Sequence, residues 1–332
     1  MSGTARAARE PNPWLRAAAW QRLFRDRPTI PLLVLLLLLV LVIQFVRPGT
    51  VSPEWAGVML RQAVPLAILA GCQTLTMLTG GIDLSVGAVA SMAGFVVATL
   101  ASDAGPEWGI AVALAAAALA GLATGIGVGV FRVHPLIMSL GMSLVVLGLA
   151  NVWQLIKIQT GAGTPEALRW IGSGTLGGVL PNSLLVFVPI ALAILLALRR
   201  TGYGRLLYAI GDNPIAARLS GARAWQVLIV LYVISALLAA IAGFLLSGLT
   251  NVASVTLGDT SVLPSVAAAV IGGTSILGGR GGFGGTIVGA LILTVVSALL
   301  SSLGFPEAVR QIVFGSIIVA VAAAYTRVTA ES

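Results

Sequence analysis

A single carboxylate, Asp83, lies in the sequence TGGIDLSVG at residues 79–87, between two long apolar runs. It is the one acidic residue outside the water-facing tails and loops, and an ionisable group at membrane depth faces the bundle interior or a water-filled cavity. The adjacent glycines favour a broken helix of the kind that lines solute sites. The alternative is a tight cytoplasmic turn in which Asp83 caps the next helix through the N–H of Ser85 or Val86. The two roles are compatible.

Uncharged polar side chains within the apolar runs extend this candidate site. Gln73, Thr76 and Gly80 follow helical spacing and can share one face, and Asn151 is three residues before Gln154 on another run. Such groups can hydrogen-bond a hydroxylated solute, although in membrane proteins they more often bond neighbouring helices. The candidate translocation pathway is Gln73, Thr76, Gly80, Gly81, Asp83, Ser85, Asn151 and Gln154.

A second stretch, IGGTSILGGRGGFGG at residues 271–285, is rich in glycine. It contains a GxGxxG pattern but lacks the surrounding strand–helix–strand unit and the later acidic residue of a dinucleotide site. We interpret it as a closely packed break between two spans, with Arg280 facing the cytoplasmic headgroups. The candidate packing glycines are Gly272, Gly273, Gly278 and Gly279.

Residue counts argue against enzymatic chemistry. Cys72 is the only cysteine and His134 the only histidine, so the sequence predicts no disulfide within the chain, no metal site and no catalytic residue. The phosphate-loop pattern GxxxxGK[ST] is absent from the chain, so ATP is not expected to bind here in that manner.

A polar island at residues 201–222 separates two apolar runs. Asn213 and Pro214 favour a helix start and Gly221 a stop, which predicts a helix of about two turns over residues 214–220. Such a helix is too short to cross a bilayer, so it is either an ordinary loop or a docking helix. An acidic side chain at Ala217 is expected to block docking. The candidate docking residues are Gly211, Asp212, Asn213, Pro214, Ala216, Ala217, Arg218, Leu219, Ser220 and Gly221.

Composition sets the class of protein that holds these stretches. Of 332 residues, 58% are hydrophobic and 9% are charged, whereas soluble domains carry roughly 25% charged residues. The chain is therefore expected to be an all-α polytopic membrane protein with about ten spans, and the first apolar run is expected to be retained as a span. The expected spans cover about 30–46, 63–79, 85–101, 108–131, 136–157, 184–198, 226–249, 262–277, 284–303 and 308–326.

The distribution of basic residues tests this topology. With both termini in the cytoplasm, about 14 Lys and Arg residues fall inside and about 5 outside, as the positive-inside rule requires. The expected organisation is an Arg-rich cytoplasmic tail at 1–28, a transmembrane domain at 29–327 with a cytoplasmic loop at 200–225, and a cytoplasmic tail at 328–332. Because this places the island at 201–222 inside, docking becomes the preferred interpretation. The Gly-rich outer loop at 161–182 could contain a surface helix at 165–170, but a solvated connector is slightly preferred.

The three stretches together resemble the permease subunits of bacterial sugar ABC importers of the ribose/xylose/galactose/arabinose type. The resemblance is carried by GGIDLSVGA at residues 80–88, RLLYAIGDNPIAARLSG at 205–221 and IGGTSILGGRGG at 271–282. It implies a type II-like importer fold in the bacterial inner membrane, with a cytoplasmic ABC ATPase docked on the short helix. It also implies a periplasmic or lipid-anchored solute-binding protein and a second permease, and it assigns ATP and Mg²⁺ to the ATPase rather than to this chain.

Two stretches depart from the family pattern. Residues 261–265 read SVLPS where the family often has Tyr-Glu-Leu-Asp, and residues 306–312 read PEAVRQI, which is similar to a subgroup that pairs with a non-identical permease. His134 also occupies a position that is often Pro. These departures leave open the solute and whether two copies or two different permeases pair.

The uncharged interior favours a neutral solute, a monosaccharide or related polyol, over an ion. The alternatives are a permease for branched-chain amino acids or nucleosides in the same superfamily, or an ATP-independent secondary transporter.

Overall fold

The computed structural model describes residues 29–157 and 163–330, which are mostly helical. The predicted tail at 1–28, residues 158–162 of the outer loop and the last two residues of the predicted tail at 328–332 lie outside the described residues. The helices are α1 (Thr29–Val46), α2 (Pro53–Met77), α3 (Val86–Ala104), α4 (Pro106–Gly129), α5 (Pro135–Lys157), α6 (Glu166–Ser173), α7 (Leu184–Arg200), α8 (Gly202–Asp212), α9 (Pro214–Leu219), α10 (Ala224–Thr250), α11 (Asp259–Ile271), α12 (Phe283–Ser302) and α13 (Glu307–Ala330).

The helices identify a polytopic membrane protein, as composition predicts. Among the described residues, seven helices are long and apolar enough to cross a bilayer: α1, α2, α3, α4, α5, α10 and α12. An eighth span results if α7 and α8, which meet at a 69° bend, are counted as one. Each of the ten expected windows contains a helix, but α11 has only 13 residues, so the expected count of about ten spans is not confirmed.

Helix α10 lies at the centre of the bundle and packs against α2, α3, α4 and α6. Its contact with α4 depends on small residues four apart in sequence, which let two helix backbones approach closely. A Cβ added at Gly121 would lie 2.9 Å from the Cα of Val233, and one added at Gly125 would lie 2.7 Å from the Cα of Ile229. Larger side chains at these glycines would therefore push α4 away from α10.

The segment at residues 163–183, which was predicted to be an outer loop, is folded onto the bundle. Helix α6 is followed by an antiparallel hairpin of β1 (Thr175–Leu176) and β2 (Leu180–Pro181). Leu168 and Gly172 of α6 are buried, and α6 packs against the C-terminal end of α10. The Nδ2 of Asn182 donates to the carbonyl oxygen of Trp170 at 2.8 Å, which ties the hairpin to α6. The preferred interpretation of this loop as a solvated connector is therefore wrong, because it contains a helix whose Leu168 and Ile171 pack against the bundle.

Candidate functional site

The carboxylate of Asp83 is enclosed in the protein. Asp83 is 2% exposed and follows α2 in a non-helical break that leads to α3. Its Oδ1 accepts hydrogen bonds from the backbone N–H of Ser85 at 3.0 Å and from the Ser85 hydroxyl at 2.6 Å. Its Oδ2 accepts from the hydroxyl of Ser235 on α10 at 2.9 Å. The carboxylate thus binds the N–H of Ser85, as expected, but the N-cap of α3 is Ser85 rather than Asp83. Its bond to Ser235 connects the break to the central helix.

Side chains from other helices satisfy the backbone of this break. The Nε2 of Gln73 donates to the carbonyl oxygen of Asp83 at 2.7 Å, and its Oε1 accepts from the Asp83 N–H at 3.3 Å. Ser139 on α5 accepts from the N–H of Leu84 at 3.0 Å and donates to the carbonyl oxygen of Ile82 at 3.2 Å. These bonds supply the partners that non-helical backbone requires within a membrane protein.

The other predicted pathway residues divide into two groups. Thr76 is buried and donates to backbone carbonyls of its own helix, and Gly81 lies against Tyr232, whose hydroxyl is within 3.1 Å of a Cβ added at Gly81. Asn151 is exposed and Gln154 half-buried, and Asn151 lies about 18 Å along α5 from Ser139 at 1.5 Å per residue. The structure therefore brings Gln73, Thr76, Gly80, Gly81, Asp83 and Ser85 together at the break, but not Asn151 and Gln154.

Helix α9 forms where the sequence predicts a short helix. The Oδ1 of Asn213 accepts from the N–H groups of Ile215 and Ala216, each at 3.0 Å, and Gly221 has a φ of +88°, which favours glycine. The helix ends at Leu219, so Ser220 is its C-cap rather than its last residue.

The structure shows which face of α9 is exposed. Ala217 is 4% exposed and packs inward, so an acidic side chain there would enter the protein before it could reach a partner's groove, and the expected loss of docking stays a prediction. Ile215 and Leu219, four residues apart, are 65% and 84% exposed. These two side chains form an outward apolar face on a helix that is too short to be stable alone.

The three sequence stretches meet at a cluster of backbone contacts that we call the glycine junction, formed by Leu78, Gly80, Gly211, Gly278 and Gly279. The N–H of Gly279 donates to the carbonyl oxygen of Leu78 at 3.0 Å. A Cβ added at Gly211 would overlap the same carbonyl oxygen and lie 2.6 Å from the nitrogen of Gly279, and one added at Gly278 would lie 2.9 Å from the nitrogen of Gly80. The end of α8 therefore rests directly on the break that precedes Asp83.

The remaining predicted packing glycines have different roles. A Cβ added at Gly272 would lie 2.5 Å from the Cα of Thr286, so Gly272 allows α11 to approach α12. Gly273 has open space around it but a φ of +88°, which a glycine adopts without strain. The hydroxyl of Tyr208 on α8 donates to the carbonyl oxygen of Gly281 at 2.9 Å and adds a second tie between α8 and this stretch.

A cavity of about 840 Å³ lies beside α9 and is lined by three exposed arginines. Arg132 comes from the loop between α4 and α5, Arg218 from α9 and Arg223 from the start of α10. Arg218 also donates from Nε to the carbonyl oxygen of Pro214 at 3.1 Å. Because these basic groups line a cavity beside α9, the surface suits a partner that carries acidic residues next to an apolar groove.

Comparison with known proteins decides the family. The family model described as "Branched-chain amino acid transport system / permease component" matches residues 57–322. The chain belongs to this permease family. It is therefore a multi-pass membrane component of a transport system and not an enzyme.

Three relatives match this permease over most of their length. The fructose import permease protein FrcC of Rhizobium meliloti is 32% identical over 297 residues, which cover 87% of this chain and 82% of the relative. The ribose import permease protein RbsC of Escherichia coli K12 is 34% identical over 284 residues, 85% and 88% of the two chains. The galactofuranose transporter permease protein YtfT of the same strain is 34% identical over 316 residues, 91% and 90%. No solved structure is significantly similar to the permease.

Sequence reasoning missed two residues of the Asp83 group. Ser235 lies 152 residues after Asp83, in an apolar helix whose sequence gives no reason to single out one serine. Ser139 lies within a predicted span, and nothing in the neighbouring sequence indicates that it binds the break. Both contacts arise from the packing of α5 and α10 around α2, which a single sequence does not specify.

Proposed function

We propose that this permease is the membrane-spanning subunit of an ATP-driven ABC importer that passes a monosaccharide or related polyol into the cell. The observation that carries the proposal is the glycine junction. Through it, the loop that presents the apolar face of α9 rests on the break beside Asp83. Movement of a partner bound to α9 would therefore act directly on the centre of the bundle. Relatives named for the import of fructose, ribose and galactofuranose support the sugar assignment.

The partner at α9 is proposed to be a cytoplasmic ABC ATPase that binds ATP and Mg²⁺. Ile215 and Leu219 would enter an apolar groove of the ATPase, and Arg132, Arg218 and Arg223 would face acidic groups at its rim. The coupling loop is residues 200–225. It includes Ala217, which lies on the buried face of α9 and packs this helix against the rest of the protein.

The topology and the remaining partners follow from the same proposal. About ten spans would place both termini in the cytoplasm, with the transmembrane domain at 29–327 in the inner membrane. A periplasmic or lipid-anchored solute-binding protein would deliver the solute to the outer face. A second copy, or a paralogous permease, would complete the translocation pathway.

The proposed pathway includes the polar break around Asp83. Asp83 bonds to Gln73 through its backbone and to Ser85 and Ser235 through its carboxylate, so this part of the pathway would be closed in this arrangement. Opening would separate α10 from the break and free these groups to face a solute. Asn151 and Gln154 would contribute on the other side of α5.

The family description gives one alternative, a permease for branched-chain amino acids. A zwitterionic solute requires charged partners at membrane depth. Among the residues whose side chains are described, Asp83 is the one charged residue that is fully buried, and its carboxylate already accepts three hydrogen bonds. The interior therefore favours a neutral solute.

Co-purification from the native membrane tests the proposal. The wild-type chain should bring down a protein with ATPase phosphate loops, and Leu219→Glu should lose it, because the substitution places a charge on the apolar face of α9. Thr175→Glu adds the same charge at an exposed residue of the hairpin, on the opposite face in the proposed topology, and should retain the ATPase. If no ATPase accompanies the wild type in mild detergents, and uptake follows an ion gradient instead, the permease is a secondary transporter.

A further inference from the structure

Two stretches of this sequence depart from the family pattern, residues 261–265 and 306–312. Both line one cavity although they are about 40 residues apart in the chain. Ser261 and Pro264 contribute from α11, and Glu307 and Arg310 from α13. The cavity has a volume of about 330 Å³ and lies near the first turns of α11 and α13 and the second half of α12. In the proposed topology this is the outer half of the permease.

Polar groups from four helices converge on this cavity. Gln62 from α2 provides an amide, and Ser261, Thr294 and Ser297 provide hydroxyls from α11 and α12. The hydroxyl of Thr294 donates to the carbonyl oxygen of Ala290 at 2.9 Å, so its oxygen remains an acceptor. These groups supply both donors and acceptors, which matches the hydroxyl groups of a carbohydrate.

An ion pair on α13 completes the polar side without adding net charge. Arg310 binds Glu307 one turn earlier, and the Nε of Arg310 is buried without a hydrogen-bond partner among the described residues. A buried donor without a partner costs free energy, which a hydroxyl oxygen of a bound solute would recover. Because the pair is neutral overall, it favours a neutral solute over an anion.

The opposite side of the cavity is apolar. Leu66, Leu246, Leu293 and Phe314 line it, and Phe314 is buried. A monosaccharide ring presents C–H groups on its faces and hydroxyls at its edge, so it can contact both sides at once. A volume of about 330 Å³ falls at the small end of the range for ligand sites, about 300–1,000 Å³.

We propose that this outer cavity is a solute subsite that binds the hydroxyl groups of a neutral monosaccharide or polyol and sets which of them passes inward. The assignment rests on the proposed function, and it places solute selection in the permease as well as in any binding protein. Ser261, Ser297 and Arg310 are its specificity-determining residues.

Thiol labelling tests the subsite without requiring transport. Cys72 is the only cysteine and is fully buried, so Ser297→Cys introduces the one accessible thiol of the full-length permease. A membrane-impermeant maleimide added from outside should label it. At least one of D-ribose, D-fructose and D-galactose at millimolar concentration should slow labelling by about twofold or more, as an occupancy of half or above requires. Ser102→Cys, at the outer end of α3, should be labelled at an unchanged rate.

The outcomes separate the subsite from the importer assignment. Equal labelling of Ser297→Cys with and without every sugar, or protection by L-leucine alone, would overturn the subsite whether or not an ATPase co-purifies with the chain. Sugar protection without an ATPase partner would support the subsite and reject the importer.

Uptake gives a second measurement of selection. Ser297→Ala should change the ratio of uptake rates between two of these sugars by about two- to tenfold, the range of one hydrogen bond, and Ser102→Ala should leave the ratio unchanged. An equal loss for all sugars would indicate a structural role and contradict the proposal.

Discussion

The N–H of Gly279 donates a hydrogen bond to the carbonyl oxygen of Leu78 at 3.0 Å and joins two breaks that are 201 residues apart in the sequence. Gly211 packs against both of these atoms. The end of α8, the break before Asp83 and the loop between α11 and α12 therefore meet with their backbones in contact. Such a contact transmits small displacements, because no flexible side chain lies between the three segments.

Gly211→Ala should destabilise this glycine junction. The added methyl group would overlap the carbonyl oxygen of Leu78, and backbone atoms on both sides cannot move aside independently. We expect a loss of about 1–3 kcal/mol in unfolding free energy and a lower melting temperature in detergent. Gly202→Ala is the matched control on the same helix, because its added methyl group has only Arg205 within 4 Å, at 3.7 Å. Equal melting temperatures for the two variants would contradict the tight contact.

The bond between Asp83 and Ser235 should stabilise the enclosed arrangement. Ser235→Ala leaves Oδ2 of the buried carboxylate without this donor, which should cost about 1–3 kcal/mol. In the Asp83→Asn background, Ser235→Ala should lower the free energy of unfolding by a smaller amount. The reason is that a hydrogen bond to a neutral amide is weaker than one to a carboxylate. Thermal unfolding of the four proteins in a double-mutant cycle measures the coupling. Additive effects within about 0.3 kcal/mol would show that the two side chains act independently.

The cap of α9 should control the order of the docking surface. Asn213→Ala removes the acceptor for the N–H groups of Ile215 and Ala216, and should cost about 0.5–2 kcal/mol of helix stability. Hydrogen exchange at residues 214–219 should become faster in this variant, while Asn213→Asp, which keeps the acceptor, should exchange as the wild type does. Unchanged hydrogen exchange in Asn213→Ala would mean that the contacts of the buried face of α9, such as those of Ala217, are sufficient to keep the helix folded.

Local chemistry explains which parts of the site could be predicted from sequence. The ends of α9 were predicted almost correctly, because a cap and a glycine stop act over three or four residues. The inward position of Ala217 could not be predicted from the sequence. The packing of α9 against α8 and α10 determines which face of this two-turn helix is buried. The hydrogen bond from Ser235 to Asp83 likewise depends on tertiary packing. The three glycine-rich stretches were recognised separately, but nothing in their sequences indicates that they touch one another.

Helix α6 gives the last prediction, because its packing was not expected from a Gly-rich loop. A Cβ added at Gly172 would lie 2.6 Å from the carbonyl carbon of Gly248, so α6 approaches α10 backbone to backbone. Gly172→Leu should therefore release α6 from the bundle, and protease added from outside should cut residues 163–182 faster. Gly163→Leu is the matched control, because a Cβ there has open space. Protection of both variants at the wild-type level would show that the contact of α6 with α10 is not what holds this segment against the bundle.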